Sequence, residues 1–144
     1  MNGQQDMEMT GSHAAPAQPL PVASAAAISA LEQQVWKFFQ KGHLDTAKLL
    51  AARITRQAPA RSWAHYLLGE IEVKLEQWQL ASEHFSRAVE LGRRDAETLV
   101  RAGEACMKAG DNRGAVAFLG QALETGKLPE PRRRMLTRVI EQLS

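Results

Sequence analysis

Residues 62–95 read SWAHYLLGEIEVKLEQWQLASEHFSRAVELGRRD, and the 34-residue stretches on either side, 28–61 and 96–129, follow the same plan. In register, Ala47, Ala81 and Ala115 share one position, Gly69 and Gly103 another, Phe85 and Leu119 a third, and Ala88 and Ala122 a fourth. Each stretch carries two helix-length apolar patterns with a break after the first. The small residues predict close helix crossings, with Leu68, Phe85, Leu91, Leu119 and Leu123 filling the space between. One such helix pair cannot cover its own apolar face, so about three stacked pairs are needed and their ends must be capped.

A period of this length, with Leu68-Gly69 early in the first helix and Ala81, Phe85 and Ala88 in the second, resembles the tetratricopeptide repeat. The resemblance covers residues 28–129. It implies an all-α solenoid of three helix pairs (28–61, 62–95, 96–129) closed by a capping helix over 130–144, together a domain at 27–144 behind an Ala/Pro-rich tail at 1–26. Three departures stand out. Leu31, His65 and Leu99 replace an early aromatic, Gln34-Val35 stands in place of Leu-Gly, and only Pro59 keeps the repeat's terminal proline.

The local signals place the helices at about Ser29–Lys41, Asp45–Gln57, Ser62–Glu76, Trp78–Leu91, Ala96–Ala109, Arg113–Thr125 and Pro131–Leu143. Ser24 or Ser29, then Asp45 and Ser62, are the expected N-caps of the first three, and Gly110-Asp111 reads as a stop followed by a start. In the last helix Met135, Leu136, Val139, Ile140 and Leu143 recur at helical spacing, leaving Arg132, Arg133, Arg134 and Arg138 for its outer side as a solvated cap rather than an anion site. In the tail, Pro16, Pro19 and Pro21 favour extended backbone around Leu20 and Val22. Those two side chains reach either the binding groove or a second copy, so a homodimer joins the expected partners; the alternative is a solvated linker.

Composition narrows function. The net charge of +2 is too slight for nucleic acid, though residues 28–61 hold six basic and two acidic side chains against four and six in 62–95. No apolar run is long enough to insert in a membrane, and the N-terminus lacks the pattern of a secretory signal, which makes the cytoplasm the expected compartment. Cys106 is the only cysteine, which rules out an internal disulfide and a cysteine zinc site; its register makes it a small buried hydrophobe rather than a reactive thiol. His13, His43, His65 and His84 lack metal-ligand spacing, His65 reading as a packing histidine. Glu70 and Glu72 diverge on one helix, and no phosphate-cradling glycine loop occurs. No catalysis, metal or cofactor is expected.

In the resembled family the first helix of each pair lines a concave groove. The residues projected there are Trp36 and Phe39, then Trp63, Tyr66, Glu70 and Val73, then Val100, Glu104 and Met107, with Glu32, Glu97, Lys74 and Lys108 among them. Aromatic and Met side chains give large, adaptable contact area, so this groove suits an apolar peptide. Family members that clamp a C-terminal carboxylate use inward Lys, Asn and Arg; Glu32, Tyr66, Val100, Trp36, Glu70 and Glu104 stand at those places, which argues against a clamp. Three repeats, a tail, a cap helix and an apolar groove, with the runs at 39–47 and 103–110, resemble the small chaperones of type III secretion translocators. That resemblance implies a protein-binding chaperone holding a hydrophobic export substrate. A scaffold of pilus or envelope assembly and a regulatory interaction module are the alternatives.

Overall fold

The structure, a computed structural model, describes residues 23–144; His13, the tail prolines, Leu20 and Val22 lie outside the described residues. The described chain is all helical: α1 (Ala25–Gln40), α2 (Leu44–Gln57), α3 (Ser62–Lys74), α4 (Trp78–Glu90), α5 (Ala96–Lys108), α6 (Asn112–Glu124) and α7 (Glu130–Leu143). Each helix packs on the next, and α1 also touches α3. The result is an all-α solenoid of three helix pairs with α7 against the last.

Two kinds of chemistry set the helix ends. Ser24 caps α1 by accepting from Ala27 N at 3.1 Å, so the helix begins four residues before Ser29 and inside the stretch read as tail. Asp95 caps α5 through Thr98, and Asp111 caps α6 through Gly114 N at 2.9 Å. Neither Asp45 nor Ser62 is a cap. His43 and Arg61 hold those positions without a side-chain bond, and Asp45 and Ser62 lie already within the helices. At the far ends Gly42, Gly92 and Gly110 take positive φ, where the missing Cβ lets the chain reverse and close two terminal carbonyls. Glu76 makes the same pair of bonds at φ 57°, without that freedom.

The repeated small residues do what their register predicts. Ala47, Ala81, Ala88, Ala115 and Ala122 are fully buried, as are the Phe85 and Leu119 side chains that fill the gaps. Cys106 is buried as well, its Sγ facing Gly114 of α6, and burial pushes its thiol up to about 11, with Asp111 adding to the effect. Ser82, next to Ala81, is also inside, donating to the Gln79 carbonyl at 2.8 Å. In α7 only Leu136 is buried; Met135 faces solvent, and Arg132 turns inward to Glu97 at 3.0 Å instead of lying outside with Arg133, Arg134 and Arg138.

A carboxylate of α3 is sealed between pairs. Glu72, 1% exposed, meets Lys48 of α2 at 3.3 Å and His84 of α4 at 4.0 Å. His84 lies 6.5 Å ring to ring from His65, whose Nε2 faces the Pro59 carbonyl. Burial lowers the pKa of both imidazoles, against the opposing pull of Glu72 on His84 and of the Pro59 carbonyl on His65. Glu70 points elsewhere, as residues two apart on a helix must.

Candidate peptide-binding face

Four aromatic rings from α1 and α3 touch in series on the side formed by the first helices. Trp36 stacks on Phe39 at 5.3 Å and leans on Trp63 at 6.3 Å; Trp63 stacks on Tyr66 at 5.0 Å with the rings 12° apart. Tyr66 meets the buried Phe85 edge-on at 5.6 Å, which ties the surface run to the core. The positions 63, 66, 70 and 73 of α3 fall on one face because each step of three or four residues returns near the same angle. Such ring pairs contribute about 0.5–1.5 kcal/mol each beyond their burial.

Arginines lock the run. The Arg93 guanidinium, from the loop before α5, lies 4.4 Å from the Trp63 ring centre and 4.8 Å from that of Tyr66. Arg101 of α5 holds Glu70 of α3 by two hydrogen bonds, one of them 3.0 Å long, and reaches Glu104 at 3.3 Å. Burial raises the Tyr66 phenol well above its ordinary value, and the negative charge of nearby Glu70 raises it further, so the hydroxyl stays protonated.

Two clefts flank the rings. One, about 310 Å³, lies between α1 and α3 and is lined by Trp36, Lys37, Gln40 and Trp63. The other, about 240 Å³, is lined by Val73, Trp78, Arg101, Glu104, Met107 and Lys108. Of the nine residues expected in the groove, eight are at least partly accessible here, with Trp36 the most open at 37%. Val100 is the exception. It is fully buried in a cluster with Leu128 and Leu136, because α7 and the chain leading to it cover that end. Glu32 is also withdrawn, 4% exposed and gripped by Arg61 through bonds of 2.9 and 3.1 Å. Trp78 was not expected here. As the first residue of α4 it falls outside the first-helix pattern, and its signal was an unpaired tryptophan directly after a helix break.

No family model and no curated protein matches the sequence at a significant level. Solved structures do match. The first TPR of Spaghetti (RPAP3), bound to the HSP90 peptide SRMEEVD, superposes with a TM-score of 0.74 over 85% of this chain and 97% of its own, at 17% identity. The chain has the tetratricopeptide-repeat fold. The same repeats align with the Yersinia enterocolitica type III secretion chaperone SycD, solved with a peptide of the translocator YopD, at TM-score 0.67 and 18% identity over 83% of this chain and 91% of that one. They also align with the Thermobaculum terrenum O-GlcNAc transferase at TM-score 0.63 and 27% identity, over 69% of this chain but only 19% of the much longer transferase. Among the described residues no three metal-ligating side chains converge, and no helix is long and apolar enough to cross a membrane.

Proposed function

We propose that this tetratricopeptide-repeat chain is a non-catalytic binding module that holds an apolar segment of a partner protein across Trp36, Phe39, Trp63, Tyr66, Val73 and Met107. The observation that carries the reading is the continuous ring series running from the exposed Trp36 to the core residue Phe85. Large rings pre-ordered by their neighbours lose little freedom on binding and make effective anchors. The finer reading is a cytoplasmic chaperone for hydrophobic type III secretion translocators. It is supported by the shared fold with SycD, whose structure holds a translocator peptide.

The test is capture of a translocator from the same cell, co-expressed with this chain. Trp36→Ala and Tyr66→Ala should weaken capture by about tenfold or more, since aromatic anchors contribute about 2 kcal/mol or more, with helical circular dichroism retained. Arg133→Ala, on the exposed side of α7, should change it little. The reading fails if the folded groove variants capture the partner at full affinity while changes in α7 abolish capture.

A further inference from the structure

The carboxylates on the first-helix face are spent inside the fold. Glu32 accepts from Arg61, Glu70 and Glu104 from Arg101, and Glu97 from Arg132. The cations along the ring series are not matched in this way. Lys37 lines the cleft beside Trp36, and Lys108 lies over Trp78 with its Nζ 5.4 Å from the ring centre; neither has an ion-pair partner among the described residues. Arg93 contacts the rings of Trp63 and Tyr66 in the stretch between the two clefts. Its nearest carboxylate, Asp95, is 3.9 Å from Nε and already uses both oxygens on Thr98, and Arg93 Nε makes no hydrogen bond. The guanidinium is fixed by two ring faces and has no tight anionic partner.

Building on the peptide-binding reading above, we infer that the bound segment is acidic as well as apolar. One apolar side chain enters the Trp36–Trp63 cleft, another enters the Val73–Met107 cleft, and a side-chain carboxylate between them meets Arg93. A basic or wholly neutral segment would leave Lys37 and Lys108 without counter-charge, and Arg93 with only Asp95 at 3.9 Å, on a surface losing its water, which is costly. The spacing follows from α3. Trp63 and Val73 are ten positions apart, or about 15 Å at 1.5 Å per residue. An extended chain covers that distance in about four to five residues. The recognised carboxylate belongs to an internal Asp or Glu, which distinguishes it from the terminal group that a carboxylate clamp holds.

Labelled, C-terminally amidated peptides with two leucines about five positions apart, carrying either Glu-Asp or Gln-Asn between them, are titrated against the full chain by fluorescence anisotropy. The acidic peptide should bind about tenfold or more tightly than the neutral one, and added salt should weaken the acidic complex selectively. Arg93→Gln should erase the preference, so that the acidic and neutral peptides bind alike, any loss common to both reporting the release of the Trp63 and Tyr66 rings that Arg93 packs against. Arg93→Lys, which keeps the charge, should retain most of the preference, and circular dichroism checks that both variants fold. Equal binding of the two peptides, or a preference that survives Arg93→Gln, overturns the inference and leaves the apolar groove standing. Failure of both peptides to bind overturns the groove and the acidic preference together.

Discussion

Gly69 and Phe85 form a lock of complementary sizes. A Cβ built on Gly69 would sit 2.6 Å from the Phe85 ring, and one on Gly103 would sit 2.6 Å from Leu119. The first repeat reverses the sizes: the glycine position holds Val35, and the Phe85 position holds Ala51, both fully buried in one cluster. What reads as a missing Leu-Gly is therefore a conserved volume moved to the other helix, invisible when positions are compared one at a time. Gly69→Ala and Gly103→Ala should each lower stability by about 1–3 kcal/mol through overpacking. Gly120→Ala, in α6 with open space around it, should instead gain up to about 1 kcal/mol from helix propensity. The pair Gly69→Val with Phe85→Ala should cost less than its two single changes summed, measured as a double-mutant cycle in urea. Glu76 shares its register position with Gly42 and Gly110 but pays the left-handed cost of about 1–2 kcal/mol, so Glu76→Gly should raise the melting temperature. The Val100 expectation failed for a reason of depth. Angle on a helix is legible from spacing, but whether a later segment covers that angle is not.

Helix crossings and the charges between helices carry the next set of consequences. Ala81 is packed with Phe85, Ala102 and Ala105, so Ala81→Trp should cost about 1–3 kcal/mol or more, whereas Glu83→Trp, on the exposed side of α4, should melt close to the parent. Equal melting temperatures would show the crossing to be elsewhere. A change at the adjacent Ser82 would not make an outward comparison, since that residue is enclosed as well. α3 is also pinned to α5 by Glu70 and Arg101, and α5 to the closing helix α7 by Glu97 and Arg132, long-range pairs that no local pattern in the sequence announces. The His65 and His84 pair gives a pH signature. Both imidazoles titrate below their ordinary 6.5 when folded, so the unfolded chain takes up protons first as pH falls. Their contribution is therefore fully present above about 6.5 and declines as pH drops below it toward the folded values. Burial opposes protonation of both rings, Arg87 adding to it at His65 and the neighbouring His65 and Lys48 at His84, where Glu72 and Glu83 partly compensate. Urea midpoints should fall between about pH 7.5 and about pH 5.5, and His65→Gln with His84→Gln should flatten that slope; an unchanged slope assigns it to other groups.

The repeat period made the solenoid, its pair count and the closing helix legible, because each pair must bury its face on the next and so repeats the same small and large residues. The ring series was legible for the same reason, since α1 and α3 each present one continuous face. The balance of free charge on that face was not. The sequence places glutamates and lysines side by side, and only the fold shows that the glutamates are taken by Arg61, Arg101 and Arg132. Stability in such a stack is roughly a sum of units and neighbour contacts, so its two ends need not open together. The buried thiol and the tryptophans supply a means to watch this without labels added to the chain. All three tryptophans, Trp36, Trp63 and Trp78, lie in the first two pairs, while the single cysteine is shut between the helices of the third. The rate at which a thiol reagent reaches Cys106 thus clocks the C-terminal end, and indole fluorescence follows the N-terminal end. With only Leu136 of α7 buried, the clock should run ahead: the opening free energy from thiol exchange should be smaller than that from fluorescence, and coincidence of the two would make the solenoid a single cooperative unit.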